Sequence, residues 1–346
     1  VKGLLLAAAA LFALPACAAT IPVRVVVVTT FENDQTGTDQ GGEFQAWTNL
    51  YPLPEHIPFP QGYHELRYNA HDQVLGIVTG EATARASASI TALGHDPRFD
   101  LSHAYWIVAA IAGVDANVAS VGSAAWAKYV VDGDLGYEID ARDIPPSFQT
   151  GYVPFNRYLP YQKPVPPANE INGQNAYALN ANLVDWAYNL TKSVVLPDDS
   201  TLQSVRAPYT QATAKRPPFV LEGDDLAAGT FWLGDHLNQW AENWTSYWTH
   251  GKAVFTMSLE EDSGVLQAIT FLGQVHRADP NRVLILRTAS DYTTPPPGQS
   301  AADLLKAENT GGLSGYTESL TDAFLAASPV VHELAAHWNR YAVQTP

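Results

Sequence analysis

The sequence holds one cysteine, Cys17, and it falls within the first twenty residues. From residue 18 onward no disulfide framework, cysteine zinc cluster or cysteine nucleophile can be built. Positive charge is scarce as well: 19 Lys and Arg stand against 35 Asp and Glu, a formal net charge of −16. An acidic surface repels phosphate backbones and anionic lipid headgroups, so no nucleic-acid polymer is expected as a partner. Beyond the N-terminus, long apolar runs are missing. The best candidate, Tyr105 to Val131, is interrupted by Asp115, Asn117 and Lys128, so no bilayer-spanning segment is expected. The 10 His are scattered without an H-E-x-x-H or Cys/His cluster, and no metal site is expected. There is no G-x-x-x-x-G-K-[ST] loop and no G-x-S-x-G elbow, and Gly76 to Gly80 (GIVTG) is too weak a signal for a dinucleotide loop. No cofactor is expected.

What is present begins with a targeting pattern. Residues 1–19 have one basic residue, Lys2, an apolar run from Leu4 to Leu14, and small residues at Ala16, Cys17, Ala18 and Ala19. This is the three-part pattern of a secretory signal, and a buried N-terminal helix is the competing reading. Leu14-Pro15-Ala16-Cys17 also resembles a lipoprotein cleavage box, which would make Cys17 a lipidated N-terminus. The alternative cut is of the Ala-X-Ala type, after Ala18. On either reading the protein is expected to be exported, periplasmic or lipid-anchored at the cell envelope.

The chain has 346 residues, 46% of them apolar and 16% charged, a globular composition with enough length for a substantial core. Buried strands are expected at Val23–Thr30, Gln73–Thr79, Trp106–Ile111, Phe219–Glu222 and Val283–Leu286, with a further strand within Val118–Val131. Helices are expected at Ala82–Leu93, Ala178–Ser193, Asn238–His250, Ser263–Val275 and within Leu320–Tyr341. Trp240, Trp244 and Trp248 recur at helical spacing, most simply as a stripe packing on the core and otherwise as a binding platform. Strands alternating with helices predict an α/β fold with a mixed central sheet flanked by helices. A Pro-, Asn- and Tyr-rich insertion covers about residues 140–216, and residues 20–346 are read as one decorated domain.

Ligands gather beyond strand ends in such sheets, and acids are placed at several of them. Asp291 lies just past the strand that ends at Arg287, where lost solvation raises a carboxyl pKa and suits it to protonate a leaving nitrogen; a turn cap or a pair with Arg287 is the plainer role. Glu260, Glu261 and Asp262 start a helix, where the helix dipole favours acids, and a carboxylate there can also accept two hydrogen bonds from a vicinal diol. Glu32 and Asp34 follow the first strand, where an acid could activate water or simply be solvated.

In order and spacing, VVVVTTFEND (25–34), GIVTGEATARASAS (76–89), WIVAAIAGVDA (106–116), GTFWLGD (229–235), MSLEEDSG (257–264) and RTASDYTTPPPG (287–298) resemble the purine nucleoside permease family. That family is in turn similar to the purine and uridine nucleoside phosphorylases and nucleosidases. The resemblance runs from about Val23 to Val343 and implies the nucleoside phosphorylase-like three-layer fold, with a purine nucleoside or purine base as ligand. It places the acid of the R-x-x-S-D signature, here Arg287, Ser290 and Asp291, on the purine N7. It places the ribose-binding acid on Glu261, with Glu260 in the position usually held by Met. The water-orienting acid aligns with Asp34, with Glu32 as neighbour, and His236 and Leu237 are placed near the base. The phosphorylases' phosphate-clamping Arg and Ser are replaced here by Val108 and Ile111, and their glycine-rich loop by Thr29-Thr30-Phe31. Holding a dianion without these donors on an acidic protein is unfavourable. Two functions follow as expectations: hydrolysis of the N-glycosidic bond of purine nucleosides, or non-catalytic nucleoside binding for uptake, with a separate transporter as partner. A homo-oligomer is compatible with either.

Overall fold

The computed structural model describes residues 20–32, 41–165, 175–310 and 315–346. The expected signal peptide with Cys17, and Asp34, lie outside the described residues. Consecutive valines build β2 (Val25–Thr29), in which every residue is buried, and β5 (Val74–Val78) is equally buried. Strands this uniformly apolar are stable only when both faces are covered. They lie beside β7 (Tyr105–Val114) in the order β7–β2–β5, all parallel. From β5 the sheet continues antiparallel into β4 (Leu66–Asn69) and β3 (Glu55–Ile57).

On its other edge β7 pairs in parallel with β16 (Val283–Tyr292), from Trp106 opposite Val283 to Val114 opposite Tyr292. β8 (Ala124–Trp126) pairs antiparallel with β16 and parallel with β13 (Val220–Glu222). The end of β7 also takes β15 (Phe255–Leu259), antiparallel, through Gly113 and Val114. From β15 the path runs to β14 (Asp224–Ala227), β9 (Tyr129–Asp132) and β12 (Ala176–Ala178), completing a mixed sheet of 12 strands among the described residues. Two small pairs lie outside it: β1 (Ile21–Pro22) with β6 (Phe99–Asp100), and β10 (Tyr137–Glu138) with β11 (Tyr152–Val153).

This topology opens a gap in the sheet. On one edge of β7, residues 105–108 pair with β2, whereas 113 and 114 pair with β15. The two neighbours diverge, and the edge between them has no strand partner among the described residues. Unpaired backbone groups in a buried place must find other partners, and side chains supply them.

The helices complete the cover. α8 (Tyr316–Ala336) packs on β7 and β16, with α1 (Glu43–Leu50) and α3 (Ala181–Thr191) against it. α2 (Ala82–His95) packs on α6 (Asp262–Gln274). Their contact needs Gly264, because a Cβ there would stand 2.3 Å from the Thr83 carbonyl oxygen. The tryptophan stripe of α5 (Asp235–Trp248) is buried in a second core cluster with Val131, Leu226 and Phe255. α4 (Ser200–Arg206), α7 (Ala301–Asn309) and α9 (Trp338–Tyr341) complete the described helices.

Two elements differ from the sequence expectation. Val118–Val131 is not one strand, because the chain turns before β8 and again between β8 and β9. The strand expected to end at Arg287 runs on to Tyr292, since β7 is itself long enough to pair with it throughout.

Candidate active site at the divergence of the sheet

A cavity of about 180 Å³ lies where β2 and β15 part along β7. Its lining comes from the residues just past β2 (Thr30, Phe31), the start of α1 (Glu43), β7 (Ile111 to Gly113), the turn from β15 into α6 (Glu260, Glu261) and β16 (Arg287, Ser290, Asp291). The orphaned edge of β7 is satisfied here by charged side chains. Ile111 N–H donates to Glu43 Oε1 at 2.7 Å, and the Ile111 carbonyl accepts from Arg287 Nη1 at 2.9 Å.

Arg287 is fully buried and its charge is matched by two acids. Nη2 reaches Glu261 Oε2 at 2.9 Å and Asp262 Oδ1 at 2.5 Å, and Nε reaches Asp262 Oδ2 at 3.1 Å. The second Glu261 oxygen accepts from Ala82 N–H at 3.2 Å, at the start of α2. Glu261 is therefore held from two sides at the mouth of α6. Burial raises its pKa, the Arg287 charge opposes that shift, and Asp262 adds to it. Glu260 beside it is pushed up to about 7, first by burial and then by the Glu261 charge.

Asp291 sits on β16 itself. The register between β7 and β16 shifts between Ala289 and Asp291, so Asp291 faces Gly113 and Ser290 forms the bulge. Bulges re-aim side chains, and this one turns a carboxyl into the cavity. Asp291 Oδ1 accepts from Ser290 Oγ at 2.6 Å. A Cβ on residue 113 would lie 3.0 Å from Asp291 Oδ2, so the glycine leaves room for the carboxyl. Burial raises the Asp291 pKa and the Ser290 hydrogen bond partly offsets it. Glu308, on α7, is raised to about 9 by burial and by the Asp291 charge.

The sequence reading missed Glu43. Its carboxylate accepts Thr30 N–H at 2.5 Å, Thr30 Oγ1 at 2.9 Å and Ile111 N–H at 2.7 Å. Burial pushes its pKa up to about 7, against the pull of Arg287 and with a further push from Glu261. The available signal was an acid directly after Gly41-Gly42 and before the apolar pair Phe44 and Trp47, the pattern of a helix start.

Of the residues singled out from sequence, Glu260, Glu261, Arg287, Ser290 and Asp291 meet in this cavity. Glu32 does not line it: its carboxylate accepts from the N–H groups of Gly42 and Phe44 and closes the loop onto α1. His236 is exposed on α5, and Leu237 packs against the second core cluster. Asp34 lies outside the described residues. Asp291 neither caps a turn nor pairs with Arg287, because the bulge separates them and Arg287 is committed to Glu261 and Asp262. Val108 lies within the paired part of β7 and Ile111 at its open edge. The N–H groups of Thr30 and Ile111, which point into the gap, are both taken by Glu43, so these two donors are not available to an external anion.

The purine nucleoside permease (NUP) family matches residues 22–346. The chain belongs to this family. A purine nucleoside permease of Candida albicans is 29% identical over 310 residues, 86% of this chain and 73% of its own length. A probable purine nucleoside permease of Schizosaccharomyces pombe is 28% identical over 284 residues, 80% of each chain. Among solved structures, the 5′-methylthioadenosine/S-adenosylhomocysteine nucleosidase of Helicobacter pylori superposes with a TM-score of 0.52 at 11% identity, covering 89% of this chain and 97% of that one. The corresponding Neisseria meningitidis nucleosidase gives 0.52 at 13% identity, covering 89% and 98%. At such identities the likeness is one of fold: this permease-family chain has a nucleosidase-like α/β architecture. No helix among the described residues is long and apolar enough to cross a membrane.

Proposed function

We propose that this protein binds purine nucleosides in the β2/β15 gap and hydrolyses their N-glycosidic bond. The observation that carries the reading is that Glu43 at the start of α1, Glu261 at the start of α6 and Asp291 near the end of β16 line one cavity with raised pKa values. Pairs of carboxyl groups in different environments divide acid and base roles between them. Asp291, whose affinity for its proton is raised by burial, donates that proton to the purine as the C–N bond breaks and its electrons pass to the base. Glu261 and Glu260 accept hydrogen bonds from the ribose hydroxyls. Water attacks the anomeric carbon of the oxocarbenium-like sugar, and its proton passes to Glu43.

Water is favoured over phosphate as the nucleophile for an electrostatic reason. Among the described residues, the cavity lining carries Glu43, Glu81, Glu260, Glu261 and Asp291 against the single cation Arg287, which is already paired. A dianion entering there meets net negative charge.

The relatives' names support a second reading, nucleoside binding for uptake without cleavage. One assay separates the two. Purified protein is incubated with inosine, adenosine and guanosine, with and without phosphate, and free base is followed by chromatography. The hydrolase reading expects base release independent of phosphate and lost in Asp291→Asn, with binding retained. Intact nucleoside that binds in calorimetry supports uptake alone. Export, read from residues 1–19, is tested by cell fractionation.

A further inference from the structure

A second cavity, of about 160 Å³, lies on the other side of the segment 228–232. Phe231 of this segment faces the candidate active site, whereas Thr230 and Trp232 face the second cavity. Its walls are aromatic. Trp232 and Trp240 stand edge to face, 5.9 Å apart at 77°, and form a corner. Tyr152 lies over Trp240, with ring centroids 4.3 Å apart. Tyr137, on the opposing strand of the β10–β11 hairpin, adds a ring that is half exposed.

The charged groups of the lining are all of one sign. Asp134 and Glu138 both line the cavity, and no Lys, Arg or His does so among the described residues. Glu138 is the cross-strand partner of Tyr152, and both carboxylates lie close enough to the Tyr152 hydroxyl to raise its pKa beyond the effect of burial. Asp134 accepts Gly229 N–H through Oδ2 at 2.8 Å. Aromatic faces attract cations through the ring quadrupole, and carboxylates add direct charge. An anion would be repelled by both.

We propose that this aromatic and acidic pocket is a binding site for a small organic cation, a primary or quaternary ammonium group, distinct from the nucleoside site. Neutral polyols share the aromatic contacts and can donate hydrogen bonds to the two carboxylates, but they lack the direct charge attraction, so charge is the discriminating property.

The test is calorimetry of the full chain with choline and with its uncharged isostere 3,3-dimethyl-1-butanol. Saturable choline binding, at least tenfold tighter than the isostere and weakened by added salt, is the expected result. Glu138→Gln and Asp134→Asn each lower choline affinity severalfold without changing the far-ultraviolet circular dichroism. Tyr137→Ala, at an exposed position, gives a second loss independent of charge should either acid variant fold poorly. Equal binding of choline and its isostere, or no saturable choline binding by the folded wild type, overturns the proposal.

Discussion

Ser290 and Asp291 are joined by a 2.6 Å hydrogen bond at the point where β16 slips by one residue against β7. Ser290 Oγ also lies 3.1 Å from the Ala112 carbonyl, a second acceptor for its one hydroxyl proton. When Asp291 is ionised the hydroxyl turns to it and stabilises the charge; when Asp291 is protonated the hydroxyl is free to turn to Ala112. Ser290→Ala removes the partner of the ionised form, so the Asp291 pKa rises further. The loss of base release at high pH then moves to higher pH than in the wild type. A pH profile of kcat/KM measures the shift, and an unmoved or lowered alkaline limb contradicts it.

Glu43 is expected to carry the acid limb of the same profile. With its pKa pushed up to about 7, its carboxylate forms, and activity rises, as pH increases through that value. Glu43→Gln keeps an acceptor for one of the two backbone donors but cannot take a proton. Turnover should fall about 10²- to 10⁴-fold, the usual contribution of one positioned acid or base, with the limb near pH 7 abolished. Calorimetry should still detect nucleoside binding.

Gly113 tests the geometry of the bulge. A Cβ at this position would crowd Asp291 Oδ2 at 3.0 Å. Gly113→Ala is expected to displace the carboxyl and lower kcat with a smaller effect on KM, while thermal stability changes little. Wild-type kinetics in this variant would show that Asp291 does not act from the position described.

Arg287 holds the inner wall together. Replacing it by Met leaves Glu261 and Asp262 buried without their cation, and breaking a buried pair in this way costs about 3–5 kcal/mol. Urea unfolding measures the loss. Arg287→Lys should recover only part of it, because an ammonium cannot reproduce the guanidinium contacts with both acids and the Ile111 carbonyl.

Asp322, on α8, sets a stability change away from the site. It is fully buried, neither carboxyl oxygen has a hydrogen-bond partner among the described residues, and burial with the nearby charges of Glu318 and Asp199 raises its pKa to about 8. The folded chain then holds a proton that the unfolded chain has released. Its contribution to stability is complete below about pH 4 and is lost as pH rises through about 8. Asp322→Asn removes this loss, so its melting temperature should exceed that of the wild type by several degrees at pH 9, and by much less at pH 5.

The sequence carried the central strands plainly because valine runs such as Val25–Val28 leave little alternative to a doubly covered strand. Glu260, Glu261, Ser290 and Asp291 were legible as acids and their neighbours at strand ends. The site's organising feature was not. It depends on β2 and β15 sharing one edge of β7 with a gap between them, a long-range arrangement that local periodicity does not encode. Glu43 was hidden for the same reason: its role comes from reaching Ile111, 68 residues away in sequence, and not from its neighbours. Glu32, adjacent to the strand end, looked better placed than Glu43, yet its backbone partners at Gly42 and Phe44 commit it to closing the loop. The tryptophan stripe on α5 was read correctly as packing, but the cavity lined by Trp240 arises only when the β10–β11 hairpin folds over it.

The most direct test of the account is to incubate the purified protein with inosine in H₂¹⁸O without phosphate and weigh the released sugar. Hydrolysis at this site predicts free hypoxanthine and ribose carrying one ¹⁸O at the anomeric position, with neither product formed by the Asp291→Asn variant. Intact inosine after prolonged incubation with folded wild-type protein, or base release that requires phosphate and yields a ribose phosphate, would contradict it.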